Sequence, residues 1–244
     1  MPRPGWACLP GRASERLSQL NGRKTSTHMS PSSPTAAELA REGGPWLYLA
    51  SQSPRRRQLL DQLGVRHTLL LPDADEDAEA LEAEQAGESP EDYVQRVTRA
   101  KWQAAMARLQ ARFCRDPQAW PLGPVLCADT TVALGNTILG KPADAADAMR
   151  MLRSLSGCRH RVLTSVCVHG RLMLSTSHVT WRELDDAEIE RYVAGGEPFG
   201  KAGAYAIQGR SGAWTKHIDG SHSGIMGLPL YETAELLKPM GWDF

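Results

Sequence analysis

The stretch Trp46-Leu47-Tyr48-Leu49-Ala50-Ser51-Gln52-Ser53-Pro54-Arg55-Arg56-Arg57 decides how the chain is read. Its first five residues are an apolar run rich in strand formers, and the next residues form a polar turn. Gln58-Leu-Leu-Asp-Gln-Leu63 then has helical spacing and is stopped by Gly64. Ser53 stands where a helix N-cap is expected, and Pro54 at the first helical position gives up an N–H that would have no partner there. A second strand over 65–71 completes a βαβ-like start, so the chain opens as an α/β protein.

Working outward, residues 72–92 carry ten acids and no base. Such a block repels itself as a continuous helix and reads as an exposed loop entering a helix near Ser89-Pro90. Tyr93, Val94, Val97, Ala100, Lys101 and Ala104 keep helical spacing, which predicts a long helix to about Phe113. Val125 to Leu134 is β-rich, and Gly135-Asn136 turns it back onto Thr137-Ile-Leu139 as a hairpin. A helix over 144–155 follows, then a second hairpin (161–168 and 171–181) whose alternation suits a sheet with one covered face. Helices over 185–193 and 230–237 flank a glycine-rich stretch from Gly195 to Gly227. The order predicts a mixed twisted sheet with flanking helices.

Residues 1–45 differ in kind, with six Pro, five Gly, six Ser and no apolar period. They are expected to be a disordered N-terminal extension, with the folded domain running over 46–244. Met29 offers an alternative start within that arm.

Lys+Arg and Asp+Glu are balanced at 28 each, so no diffuse basic surface claims a nucleic acid polymer, and any bound anion needs a local cluster. No stretch approaches the roughly 18 apolar residues that span a bilayer, so no membrane insertion is expected. The five cysteines lack C-x-x-C or metal-finger spacing, which points to buried thiols in a reducing compartment, the cytoplasm by default. The P-loop, nucleophile-elbow, zincin and dinucleotide-binding patterns are all missing, and His160 and His178, each within a strand pattern, read as structural.

Three clusters remain that carry chemistry. Ser51, Ser53, Arg55 and Arg56 sit at a strand-to-helix junction, where hydroxyls, guanidinium groups and free helix N–H groups suit phosphate oxygens. Asp129, in Ala128-Asp129-Thr130-Thr131, places a carboxylate in an apolar strand, where it needs an opening and a cation, a metal or a water to polarise. Gly140-Lys141-Pro142 lies just across the predicted hairpin, and a cation about 4 Å from an anionic oxygen is worth roughly 4 kcal/mol at an effective dielectric of 20. Gln208, between an apolar run and Gly209, reads either as a surface glutamine in a loop, which its local sequence favours, or as a buried amide needing specific partners.

Leu49-Ala50-Ser51-x-Ser53-Pro54-Arg55-Arg56, Ala128-Asp129-Thr130, Gly140-Lys141-Pro142, Leu155-Ser156-Gly157 and Lys201-Ala-Gly-Ala-Tyr-x-Ile-Gln208-Gly209 together resemble the Maf family of nucleoside triphosphate pyrophosphatases. The resemblance covers about residues 46–240 and rests on the order of five short motifs. It implies an α/β fold related to the inosine-triphosphate pyrophosphatases, two lobes around a central cleft, a homodimer, and hydrolysis of a nucleoside triphosphate to monophosphate and pyrophosphate with a divalent cation, Mg²⁺ or Mn²⁺. On this resemblance Asp129 matches the proton acceptor, and Glu76 an acidic position that shares the metal with Asp129. Lys101 and Lys141 match phosphate-facing lysines. Arg55, Arg56, Thr130 and Gln208 look like the subgroup acting on dTTP and UTP.

The chemistry of the base agrees with that subgroup. Uracil and thymine present an O4 acceptor beside an N3–H donor, and a single glutamine amide can match both, whereas cytosine reverses the pattern. The competing expectations are a 7-methyl-GTP pyrophosphatase and a non-enzymatic nucleotide-sensing regulator of cell division or septum formation. One departure from the motif is Gln52, where a small residue is usual; directed into the cleft, it would narrow the phosphate site.

Overall fold

The structure, a computed structural model, describes residues 34–74, 76–77 and 79–244. Most of the expected N-terminal extension lies outside these residues. Its last part does not match the expectation: α1 (Ala36–Glu42) is helical. Thr35 and Glu38 close a reciprocal capping box at its start. Arg66 donates to the Leu39 and Gly43 carbonyls and pairs with Glu42 at 2.6 Å, docking the helix beside the first strands.

The fold then follows the predicted order. The strands β1 (Leu47–Leu49), β2 (His67–Leu69), β3 (Val125–Leu134), β4 (Thr137–Leu139), β5 (Arg159–Val168), β6 (Arg171–Trp181) and β7 (Thr215–Asp219) form one mixed sheet. Its order is β2-β1-β3-β5-β6-β7, with β4 attached to β3. β1 runs parallel to both β2 and β3, and the remaining pairs are antiparallel. Leu47 and Leu49 are buried on one side of β1 and Tyr48 on the other, as expected for a strand covered on both faces. β5 departs from the alternation expected of it. It lies between β3 and β6 and is buried from Val162 to Val168, because helices cover both its faces.

The helices are α2 (Pro54–Gln62), α3 (Pro90–Arg115), α4 (Ala145–Leu155), α5 (Asp186–Ala194), α6 (His222–Met226) and α7 (Leu230–Leu237). α4 shows why its sequence is helical: Ala148, Met151, Leu152 and Leu155 repeat at one face and are buried, and Asp144 caps its N-terminus by accepting the Asp147 N–H. Ser53 does precede α2, but its side chain makes no cap bond. The turn is instead closed by the Ser53 N–H donating to Ser51 Oγ at 3.2 Å.

β3 places the site by running through several cores. Leu126 and Ala128 pack in the cluster under α2 and α7, while Val125 and Cys127 pack in the one under α3. Farther along, Val132 belongs to a cluster formed with α4, α5 and the 204–214 segment. Between these cores Asp129, Thr130 and Thr131 face a cavity instead of packed side chains. Two facing segments are tied across Val132 by Gly203, whose N–H donates to the Gly140 carbonyl at 3.0 Å. Gly203 has φ 67°, and a Cβ there would lie 2.9 Å from three Val132 carbons, so only glycine allows the approach.

The acidic stretch is not a free loop. It contains one short 3-10 turn (Ala80–Glu82) and is strapped onto α3 by that helix's cations. Arg112 holds Asp73 at 2.6 Å, Lys101 holds Glu82 at 2.6 Å and Arg96 holds Glu88 at 2.6 Å. Among the described residues no helix is long and apolar enough to cross a membrane.

Candidate active site

The cavity has a volume of about 990 Å³, room for a nucleotide. Every side chain singled out in the sequence lines it: Ser51, Ser53, Arg55, Arg56, Glu76, Lys101, Asp129, Thr130, Lys141 and Gln208. Gln52 lines it as well.

Adjacent residues of a strand point to opposite faces, and Asp129 and Thr130 use this to build two halves of the site. Asp129, 7% exposed, faces α3, where Lys101 stands on the same stripe as Val97 and Ala105. Lys101 Nζ lies 2.6 Å from Asp129 Oδ1 and 2.6 Å from Glu82 Oε1. Lys141 Nζ lies 3.0 Å from Glu82 Oε2 and 3.1 Å from Glu79 Oε1. Burial on its own would raise the Glu82 pKa, but Lys101 and Lys141 outweigh it and hold the carboxyl below its ordinary value. Burial likewise opposes the charge on Lys141, and Glu82 and Glu79 reverse that, leaving its pKa raised.

Thr130 faces the other way, toward α2. Arg56 donates to the Gly227 carbonyl at 2.8 Å, to Ser51 Oγ at 3.2 Å and, more weakly, to Thr130 Oγ1 at 3.4 Å. The Thr164 hydroxyl, from the neighbouring strand, lies 2.9 Å from Thr130 Oγ1 and 2.7 Å from the Gly224 carbonyl. Arg55 donates to the Met226 carbonyl at 3.3 Å. Among the described residues, none of these guanidinium bonds goes to a carboxylate. Burial pushes the pKa of both arginines down, yet a guanidinium keeps its charge, so two positive charges are positioned here by neutral acceptors alone. That arrangement suits an external anion able to take paired N–H donors.

Glu76, expected to share a metal with Asp129, lines the cavity and bonds Arg108 with both oxygens, at 2.6 and 2.5 Å. Arg108 also donates to the Leu70 carbonyl at 3.0 Å, which makes the pair part of the strap. The Arg108 hydrogen bonds hold the Glu76 carboxyl down to about 2, against the smaller upward pull of burial. The carboxylate beside Lys101 and Lys141 is Glu82, which the sequence reading missed. Its only signal was membership of the acidic block.

Gln208 is exposed at the cavity, as a surface glutamine in a loop would be, and among the described residues no group bonds its amide. Lys201 was missed as a site residue although it heads the Lys201-Ala-Gly-Ala-Tyr205 motif. It lines the cavity, bonds the Glu197 and Phe199 carbonyls, and has its pKa lowered first by burial and then by Arg55. His160 is structural as expected, buried with Nε2 2.8 Å from the Tyr205 hydroxyl.

A family model described as Maf-like protein matches residues 46–240. The dTTP/UTP pyrophosphatase of Cupriavidus metallidurans is 61% identical over 202 residues, which are 81% of this chain and 98% of that one. The protein of that name from Ralstonia nicotianae is 62% identical over 198 residues, 79% of this chain and 93% of its own. A third, from Albidiferax ferrireducens, is 57% identical over 201 residues, 81% of this chain and 98% of its own. With the match extending from the first strand through α7, the chain belongs to the Maf family.

Proposed function

We propose that this protein hydrolyses dTTP and UTP to the nucleoside monophosphate and pyrophosphate. The observation that carries the reading is the two-sided cavity: Asp129, gripped by Lys101, on one wall, and on the other the guanidinium pair Arg55 and Arg56, hydrogen-bonded to carbonyl oxygens. The substrates named for the relatives supply the choice of bases.

Asp129 acts on water. Its Oδ1 is held by Lys101, which leaves Oδ2 to accept a proton from a water attacking the α-phosphorus in line. Arg55, Arg56 and Lys201 hold phosphate oxygens, and Arg56 is itself aimed by Ser51, Thr130 and the Gly227 carbonyl. Lys141 and Lys101 offset charge on the departing pyrophosphate. Gln208, whose amide has no bonded partner among the described residues, reads the O4 and N3–H edge of uracil or thymine.

A divalent cation fits the donor set. Asp129 and Glu82 are two carboxylates sharing one ammonium, and Mg²⁺ is ordinarily held by one or two carboxylates together with substrate phosphates. Those two residues would hold it, and it would polarise the phosphate.

The test is a turnover panel of dTTP, UTP, CTP and 7-methyl-GTP with Mg²⁺ or Mn²⁺, read by pyrophosphate release. Release from dTTP and UTP in preference to the other two is expected. Preference for 7-methyl-GTP, or nucleotide binding without release, would replace this reading with the corresponding alternative.

A further inference from the structure

Gln208 has neighbours that are fixed although its own amide is not. On one side Ile207 is buried in the core. On the other, Gly209 lies against Glu197 so closely that a Cβ would stand 1.9 Å from Glu197 Oε1. The Gly209 backbone itself, at φ −97°, would accept any residue, so it is the presence of Glu197 that requires glycine there. Glu197 Oε1 also accepts the Arg210 N–H at 3.0 Å and the Tyr192 hydroxyl at 3.0 Å. Tyr192 is buried and packs edge-on against Trp214, with ring centroids 4.7 Å apart. Two further bonds close the turn, from the Gly209 N–H and from the Ser211 hydroxyl to the Ala206 carbonyl, at 2.8 and 2.7 Å.

One carboxylate therefore staples the end of α5 to the turn that carries Gln208, and does so from outside the cavity. We propose that Glu197 is a positioning residue for base selection: it fixes the Gln208 turn through Gly209 and Arg210, and so sets the preference for uracil-type bases over cytosine. The proposal rests on Gln208 being the base reader. An amide held at one place and angle can penalise a reversed donor and acceptor pattern, whereas an amide on a loose turn adapts to either base. A role confined to stability would lower turnover of every triphosphate alike.

The experiment measures kcat and KM for UTP and CTP in Glu197→Ala, Glu197→Gln, Gly209→Ala and Gln208→Ala, each checked for folding by circular dichroism. Glu197→Ala is expected to raise the KM for UTP about tenfold with kcat within about threefold, and to lower the UTP-to-CTP ratio of kcat/KM about tenfold. Glu197→Gln, which keeps an oxygen acceptor of the same reach, should hold that ratio within about threefold of the parent. Gly209→Ala, which pushes the carboxylate away while keeping it, should reproduce the loss, and it decides the matter if Glu197→Ala does not fold. An unchanged ratio in the folded variants, with Gln208→Ala lowering it, overturns the role of Glu197. An unchanged ratio in Gln208→Ala overturns the assignment of Gln208 itself.

Discussion

Lys101 Nζ stands 2.6 Å from Asp129 Oδ1, joining the middle of the long helix to the interior strand at the one place where that strand faces the cavity. Lys101 is thus the group that orients Asp129, and Asp129→Asn separates orientation from proton acceptance, since the amide is isosteric but cannot take a proton. Turnover of UTP is expected to fall at least about 100-fold while nucleotide binding stays within about threefold of the parent. Pyrophosphate release and a binding titration check this; near-normal release would remove Asp129 from the chemistry.

Glu82 and Glu76 lie in the same acidic strap and have different partners. With Glu82 beside Asp129 and Glu76 committed to Arg108, Glu82→Gln is expected to raise the Mg²⁺ concentration for half-maximal activity about tenfold, and Glu76→Gln to leave it within about twofold. A Mg²⁺ titration of the two variants is the measurement. The reverse outcome would make Glu76 the metal carboxylate.

For Glu76 the expected cost is in stability. Arg108 is 8% exposed, and removing its carboxylate leaves a buried charge partly unpaired. Because Glu76 itself is about one-third exposed, solvent reduces the loss to about 1–2 kcal/mol, or about 3–6 °C in melting temperature. The pair's contribution is present above the ordinary carboxylate value of 4.5 and is lost as pH falls toward about 2, the value at which Glu76 protonates in the folded chain. Thermal melts of Glu76→Gln and the parent should therefore differ at pH 7 and converge as the pH approaches 2.

His160 controls a different pH window. Burial pushes its imidazole down to about 4 from 6.5, so between these values the unfolded chain binds more protons than the folded one. Stability is full above pH 6.5 and falls as pH drops toward 4, by about 3 kcal/mol in total. Carboxylates act mainly below 4.5, so replacing His160 with asparagine should flatten the melting temperature between pH 6.5 and 4.5 whatever it costs at neutral pH. An undiminished slope in that variant would show that another group titrates there.

Much of the fold was legible because the signals are local. Pro90 at a helix start, Leu230–Leu237 as an apolar helical stretch and Gly135-Asn136 as a turn each need only their neighbours to be read, and the structure has α3, α7 and the β3–β4 hairpin there. α1 was local too: Thr35 and Glu38 form a capping box, but the Pro, Gly and Ser around them dominated the reading. The site was legible as a list of residues and illegible as a set of partners. Glu76 finds Arg108 across 32 positions and Lys101 finds Glu82 across 19, pairings that depend on how the strap lies along α3. A motif identifies an acid worth examining; only the fold decides which cation meets it.

The reaction itself is tested most directly by hydrolysing UTP in ¹⁸O-labelled water with Mg²⁺ and following the label by mass spectrometry. Attack on the α-phosphorus beside Asp129 predicts equal amounts of UMP and pyrophosphate, with the label in UMP alone. Label in pyrophosphate, or formation of UDP and inorganic phosphate, would contradict it.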